Sequence, residues 1–387
     1  MQLLDQITYK TKYFKTVEDL IEKIQKKTVV PYQLEVQPGR IKGNKICWMP
    51  CTYCYGGSSK NDGERLDPER YIDLIDQTVS GPHGGINKII YAGYATDPLN
   101  YEHIDDLIEK SVNLGQVVGI HSKLIKISDR LVDILSSDKV AESSYMTVSV
   151  DGGDNKSYNL AHNLSEKVKV YDRVIANIKK LTDLFASKKK KFDVSANYLV
   201  TKNNCSKDEV YNGIVNLINS GVDSIRFSFP QLPRGTDSYE GTIIPNRQEV
   251  KKIYEDINPV IDEFKDSSTK VVLIDYDADK GIRDVRTLPC FSRFIYPAIS
   301  YDGYLSNCSQ SAATHFKDMA LGNLHTQDFW DAFYNYNEKD IFGFMNNEFK
   351  KMIKNDCRCD RKEHTVNQIF NDEIGDKLQF WIKLKNH

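Results

Sequence analysis

Three thiols within eight residues oblige any fold of this chain to wrap one short loop around a single point: Cys47, Cys51 and Cys54 in Cys47-Trp48-Met49-Pro50-Cys51-Thr52-Tyr53-Cys54. Their spacing, C-x3-C-x2-C, is close enough to grip one metal centre but one ligand short of closing it. Iron–sulfur cubanes take four thiolates as a rule, so a three-thiol loop suggests a cluster with one iron left open for a substrate or cofactor. A zinc knuckle would need a fourth Cys or His beside the loop. The nearest histidines, His83 and His103, stand outside that spacing.

Around this loop the chain alternates between strand and helix signatures, which argues for parallel strands joined by crossover helices. Strands are expected at Tyr32–Val36, Lys88–Ala92, Gln116–His121, Tyr145–Val150, Phe192–Val200 and Ser224–Phe229. Helices are expected at Asp67–Val79, His103–Val112, Asp129–Ser136, Glu166–Phe185 and Lys207–Ser220. The two-residue period puts Thr147, Ser149 and Asp151 on one face of the fourth strand and Met146, Val148 and Val150 on the other. It likewise sets Ser195 and Asn197 against Val194, Ala196 and Tyr198, and Ser224, Arg226 and Ser228 against Ile225, Phe227 and Phe229. A closed barrel fills its centre with branched apolar side chains. Three consecutive polar faces therefore point to an interior that holds a ligand, unless those faces meet solvent.

Composition removes several classes of function. A net charge of −2 over 387 residues gives no electrostatic reason to expect nucleic acid. The basic run Lys188-Lys189-Lys190-Lys191 falls between a helix and a strand, where a solvated loop accounts for it. No apolar run is long enough for a membrane span, and Met1-Gln2-Leu3-Leu4-Asp5 lacks the basic start of a secretion signal. Eight cysteines without an export signal read as metal ligands rather than disulfides, in a reducing cytoplasm. The length suits one large α/β domain and a smaller one, with boundaries expected at 1–31 (a helical lead-in), 32–275 and 276–387.

The cysteine loop, with the aromatic Tyr53 before its third thiol, resembles the signature of radical S-adenosylmethionine (SAM) enzymes, and the likeness runs over about residues 32–360. It implies a partial (β/α)6 TIM-type barrel and a 4Fe-4S cluster on Cys47, Cys51 and Cys54. In that family SAM chelates the open iron through its amino and carboxylate groups. The reduced cluster passes an electron to the sulfonium, and a 5′-deoxyadenosyl radical abstracts a substrate hydrogen. The cofactor supplies this chemistry, and the protein supplies binding and orientation. Ala92-Gly93-Tyr94-Ala95-Thr96-Asp97-Pro98-Leu99 stands where the family carries Gly-Gly-Glu-Pro to bind the SAM amino group. Gly93 and Pro98 match; Tyr94 and Thr96-Asp97 replace the second glycine and the glutamate. A glycine and an Asp-Pro pair are also strong turn formers. Ser149-Val150-Asp151-Gly152 resembles the segment near the SAM ribose, and Tyr171–Leu181 its following helix, although Asp-Gly is also a common strand-ending turn. His121-Ser122 closes the third strand at the rim where barrel enzymes concentrate their chemistry. SAM contacts are thus expected from Tyr53, Gly93, Tyr94, Thr96, Asp97, Ser122, Ser149 and Asp151.

After Asp275 the alternation ends, and a second set of thiols begins at Cys290. Arg293–Ser300 and Tyr304–Cys308 read as two strands joined through Asp302-Gly303, a hairpin signal that brings Cys290 and Cys308 to one end. The spacing C-x12-G-x4-C, then Leu321-Gly322-Asn323-Leu324 and a helix over Thr326–Tyr334, resembles the SPASM or Twitch extension of radical SAM enzymes. With Cys357 and Cys359 the set reaches four ligands, as in the shortened Twitch form with a single auxiliary 4Fe-4S cluster. A four-thiolate zinc site is the alternative, and the tight Cys357-Arg358-Cys359 spacing leaves open whether both thiols ligate. Cys205, in the loop after the fifth strand, stays outside both sets; some relatives place a free cysteine near the substrate to donate a hydrogen atom, whereas most free cysteines are inert. Ser206 or Asn204 is suited to cap the helix that follows.

The resemblance implies a radical SAM oxidoreductase dependent on a flavodoxin or ferredoxin. Relatives with this extension mostly modify peptides or proteins by oxidation, crosslinking or epimerisation. The lead-in is too short for a leader-peptide-binding module, so such a module is expected on a separate protein, or the substrate needs none. Two alternatives stand beside this reading: a small-molecule dehydrogenase acting on an amino sugar or aminocyclitol, and a non-catalytic iron–sulfur electron carrier.

Overall fold

The computed structural model describes residues 17–39, 47, 49–51, 53–54, 63–93, 96–230, 243–274, 290–312, 314–359, 363–364 and 366–368. Seven strands follow one another in parallel: β1 (Leu34–Val36), β2 (Lys88–Tyr91), β3 (Val117–Ser122), β4 (Tyr145–Ser149), β5 (Asp193–Leu199), β6 (Ser224–Ser228) and β7 (Lys270–Leu273). On the free side of β1, β8 (Ala298–Ile299) pairs in parallel, and β9 (Tyr304–Ser306) and β10 (Gly322–Asn323) continue antiparallel. The sheet order is β10-β9-β8-β1-β2-β3-β4-β5-β6-β7, an open, mostly parallel sheet of the partial TIM-barrel type.

The helices are α1 (Val17–Gln25), α2 (Pro68–Val79), α3 (Ile104–Asn113), α4 (Asp129–Ser136), α5 (Asn155–Ala161), α6 (Val170–Ser187), α7 (Lys207–Asn219), α8 (Arg247–Asp262), α9 (Phe329–Phe333) and α10 (Ile341–Lys354). Their starts are written locally. Asp67 accepts from Glu69 N ahead of Pro68, Ser128 accepts from Leu131 N, and Ser206 and Asn246 form reciprocal capping boxes with Glu209 and Glu249. Such caps contribute about 1 kcal/mol each. Helix α6 buries Val170, Tyr171, Val174, Ile178, Leu181 and Phe185, a stripe at three- and four-residue spacing that covers the sheet. Among the described residues no helix is long and apolar enough to cross a membrane.

Strand parity behaves as the period-two pattern requires. Met146, Val148, Val194, Ala196, Tyr198, Ile225 and Phe227 are fully buried, the Met, Val, Ile and Phe side chains being worth about 1.5–3 kcal/mol each. Thr147, Ser149, Ser195 and Asn197 are half-buried on the other face, and Arg226 is exposed. Register sets His121, Thr147, Ser195 and Ser224 in one row and Ser149, Asn197 and Arg226 in the next. Thr147 and Ser195 lie hydroxyl to hydroxyl at 3.1 Å.

Several expectations need correction. The alternation runs one unit further than expected, through α8 and β7, because Lys270–Leu273 finishes the pairing along β6. The helix expected at Glu166–Phe185 forms as α6 but begins only at Val170, and a short helix not expected, α5, precedes it, started by a capping box between Asp154 and Ser157. Most of Arg293–Ser300 is not strand, since Ser292–Phe294 forms a 3-10 turn and only Ala298–Ile299 pairs. The hairpin itself forms through Asp302-Gly303, with Gly303 at φ +76°, where a side chain would be strained. The helix expected over Thr326–Tyr334 shortens to Phe329–Phe333. The Lys188–Lys191 run is a largely exposed loop as expected, although three of its side chains are tied down: Lys188 donates to Ser136 Oγ at 2.8 Å, Lys190 to Ser137 O at 2.5 Å and Lys191 to Glu142 Oε1 at 3.3 Å.

Candidate functional site

The carboxyl ends of β2 to β5 meet the first thiol loop, and the turn after β3 is the tightest part of that meeting. Asp97 accepts from Leu99 N (3.1 Å) and Ser122 Oγ (2.7 Å) on one oxygen and from Lys123 N (2.9 Å) on the other. Ser122 Oγ in turn accepts from Leu124 N at 2.9 Å, and Asn177 Nδ2 donates to Leu124 O at 2.9 Å. These bonds hold Leu124 at φ +51°, a conformation that costs a non-glycine residue roughly 1 kcal/mol. The chain thereby reverses, and Lys123 points back toward the loop.

Lys123 Nζ lies 3.4 Å from Asp151 Oδ2, and the Asp151 side chain has no exposure. Burial works against the ammonium, but the nearby Cys51 and Asp151 charges override it and hold the Lys123 pKa above its ordinary value. Asp151 is fixed on every side. Leu199 N donates to its Oδ1 at 2.9 Å, Tyr53 OH to its Oδ2 at 2.5 Å, and Asn204 Nδ2 to its carbonyl at 3.0 Å. Burial and the Asp151 carboxylate push the Tyr53 hydroxyl well above its ordinary pKa, so it remains a donor.

His162 completes this group from the end of α5. Its Nδ1 lies 3.2 Å from Cys51 Sγ and 3.3 Å from Tyr53 OH, its Nε2 is 3.4 Å from Asp151 Oδ2, and its ring packs on Tyr158 at 4.2 Å between centroids. Burial, helped by the Lys123 charge, holds the imidazole pKa well below its ordinary value. The Cys51 thiol is pushed up to about 12 by burial, opposed by Lys123 and reinforced by Cys54, Asp151 and Cys47. Burial also raises Cys47, beside Asp97 and Cys54. The three loop thiols therefore share one electrostatic environment with a buried cation.

The other expected contacts distribute unevenly. Gly93 sits where a Cβ would come within 2.1 Å of Thr96 O, so the turn after β2 demands glycine. Thr96 Oγ1 and Tyr158 OH are buried oxygens that make no hydrogen bond among the described residues. Ser149 lies half-buried on the polar face of β4. Tyr94 lies outside the described residues. His121 is exposed at the barrel face and pairs with Tyr145 OH at 3.1 Å. Cys205 stands apart: its thiol is 3.8 Å from Lys202 O, its charged neighbours are Glu209, Asp256 and Lys202, and burial raises its pKa.

The second set of thiols assembles from three separated segments. Cys290, Cys308 and Cys357 are buried, and Cys359 half-buried. Burial first, then the charges of Cys290, Cys357 and Cys359, drives the Cys308 thiol well above its ordinary pKa, which puts all four in one group. Asn367 Nδ2 lies 3.8 Å from Cys290 Sγ and 3.6 Å from Cys359 Sγ while its Oδ1 accepts from Phe291 N at 2.7 Å. Ser311 Oγ is 3.7 Å from Cys308 Sγ. Phe316, Met319 and Met352 close an apolar shell around Cys290 and Cys357. Among the described residues no group of three or more His, Cys, Asp or Glu side chains is placed to hold a single metal ion. Thiolates of a cubane bind different irons and stand farther apart than those of one zinc.

Lys123, His162, Tyr158 and Asn204 were not singled out as site residues in the sequence. The Asp154-x-x-Ser157 pattern is the signal that reveals α5 and hence His162. Lys123 carries no such local mark, because only the turn at Leu124 aims it.

Residues 41–204 match the family described as the Radical SAM superfamily. A search of curated proteins finds no match. Among solved structures, Streptococcus suis SuiB is similar at 15% identity and a TM-score of 0.57 over 81% of this chain and 68% of SuiB, both alone and bound to S-adenosylmethionine. SuiB bound to the precursor peptide SuiA is similar at 16% identity and a TM-score of 0.57, over 81% of this chain and 67% of SuiB. At such identities the likeness is one of fold.

Proposed function

From the match of residues 41–204 to the Radical SAM superfamily, we propose that this chain cleaves S-adenosylmethionine reductively at a 4Fe-4S cluster and uses the product to modify a peptide or protein. The observation that carries this reading is the meeting of Cys47, Cys51 and Cys54 with the buried Lys123 at the carboxyl ends of the parallel strands. Three thiols and a cation suit a cluster with one open iron and an anionic ligand beside it. When bound, the cluster and SAM supply a 5′-deoxyadenosyl radical that removes a substrate hydrogen.

The chain's own residues bind and orient. Lys123 holds a carboxylate near the open iron. Asp97 spends its acceptors on Leu99, Ser122 and Lys123, so it shapes the turn rather than receiving an ammonium. Thr96 Oγ1 and Tyr158 OH, buried and without a partner among the described residues, are polar atoms available to meet SAM. Gly93 lets the backbone approach and Ser149 stands at the end of β4 for the ribose, while Asp151, its carboxylate taken by Leu199 N, Tyr53 and Lys123, orients its neighbours rather than meeting the ribose as the resemblance implied. Tyr53 acts through Asp151. The Cys290, Cys308, Cys357 and Cys359 set holds a second 4Fe-4S cluster whose four thiolates leave no open iron, which favours electron transfer over substrate binding. The reductant is a flavodoxin or ferredoxin, and the setting a reducing cytoplasm.

Peptide modification is supported by the shared fold with SuiB, which is described bound to a precursor peptide. A second reading, oxidation of an amino sugar or aminocyclitol, is favoured by the hydroxyl and amide row of Thr147, Ser195, Ser149 and Asn197 on the barrel face. Anaerobic reconstitution with iron, sulfide, dithionite and SAM tests the whole: 5′-deoxyadenosine is the expected product. Its absence from a fully loaded protein would leave an electron carrier. Deuterated peptides and deuterated aminocyclitols as substrates then separate the two readings by which one passes label into 5′-deoxyadenosine.

A further inference from the structure

Ninety-eight and 111 positions separate Tyr53 from Asp151 and Cys51 from His162, yet these side chains form one group in which all but the half-buried Cys51 are buried. Their protons can be counted. Tyr53 has one, and it is directed to Asp151 Oδ2 at 2.5 Å. His162 Nδ1 faces Cys51 Sγ at 3.2 Å and the Tyr53 oxygen at 3.3 Å, both of which are acceptors once the thiol is an iron ligand and the hydroxyl proton is on Asp151. A nitrogen lone pair pressed against a thiolate would be repelled, whereas the Asp151 Oδ2 that faces Nε2 already accepts from Tyr53 and pairs with Lys123, so the proton belongs on Nδ1. At the far side of the ring Nε2 makes no aligned hydrogen bond, although Asp151 Oδ2 is 3.4 Å away. The ring has no exposure and is clamped by Tyr158, so water does not compete for that proton.

Resting on the cluster reading above, we propose that His162 is a positioning residue that donates its Nδ1–H to the Cys51 thiolate and thereby raises the reduction potential of the loop cluster. Reduction adds negative charge to iron and its sulfurs, and a donor on a ligating sulfur stabilises the reduced state more than the oxidised one. The capping box that starts α5 and the bond from His162 N to Tyr158 O at 3.0 Å hold the imidazole in place.

The test is a redox titration of the reconstituted full chain, following the reduced-cluster signal by electron paramagnetic resonance, with iron and sulfide assays and far-ultraviolet circular dichroism on every variant. His162→Phe fills the space beside Tyr158 but has no donor, and its loop-cluster potential should move to more negative values. His162→Asn returns an N–H near the Nδ1 position and should restore it part of the way. A fully loaded, folded H162F with the native potential overturns the inference while leaving the cluster reading intact. Equal shifts in H162F and H162N overturn it as well, since they would trace to packing. Failure of the native chain to assemble a loop cluster overturns both.

Discussion

The two thiol sets answer different demands with the same side chain. Cys47, Cys51 and Cys54 are neighbours in sequence and stand among charges and donors: Lys123, Asp97, Asp151, Tyr53 and His162. Cys290, Cys308, Cys357 and Cys359 come from distant segments and stand among Phe316, Met319 and Met352, with the Asn367 amide and Ser311 hydroxyl near sulfur and the buried Arg293 close enough to interact with Cys290. A centre that exchanges an ionic ligand needs compensating charge already in place, because buried charge without a partner is costly. A closed four-thiolate centre needs little more than a dry shell and a few donors. On the cluster reading proposed above, the contrast fits ligand chemistry at the first set and electron transfer at the second.

Removing the first set is the most severe way to break that contrast. The triple variant C47A/C51A/C54A should lose 5′-deoxyadenosine formation to background and about half of its cluster iron, measured by chromatography and iron assay; retained cleavage would mean the wrong set had been chosen. Cys308→Ala should lose the other half, while SAM cleavage without substrate turnover persists. Should cleavage vanish in a folded, half-loaded C308A, the division of labour fails. Lys123→Met, which keeps the stem and removes the charge, should weaken SAM binding by about 10- to 100-fold, the range for a lost charge-assisted hydrogen bond. Equilibrium dialysis reads this, and unchanged affinity would strip the loop of its ionic role.

The smallest expected effect is on the pH dependence of the unloaded chain. Burial raises the Cys51 pKa from 9.0 to about 12, so the folded thiol stays protonated where the unfolded one ionises. The stability this preserves is whole below pH 9 and is lost as pH rises toward 12. Thermal melts of the unloaded protein should therefore fall above pH 9, less steeply in C51A, and loading with iron and sulfide should suppress the difference because bound thiolates have already released their protons.

Legibility in the sequence followed how local each feature is. Strand parity in Tyr145–Ser149 and Asp193–Leu199 was readable because alternation is a property of neighbouring residues, and burial obeys it. The seventh strand was missed: Lys270–Leu273 is only four residues long, with three half-buried positions that blunt the alternation. Ser206 and Asn204 both looked like caps; Ser206 is the cap, while Asn204 turns inward to bond Asp151 O and Leu199 O. Tyr53 was legible as the aromatic of the loop, but not its hydrogen bond to Asp151, which depends on where β4 ends relative to the loop.

By itself the sequence determined the thiol spacing, the parallel alternation and the polar strand face, since spacing and period are carried within short windows. Only the tertiary structure decided which charges surround the thiols. Lys123 reaches Asp151 because three side chains hold Leu124 in a left-handed turn, and His162 reaches Cys51 because a short capped helix follows β4. Contacts across a hundred residues are set by packing, and packing leaves no period to read.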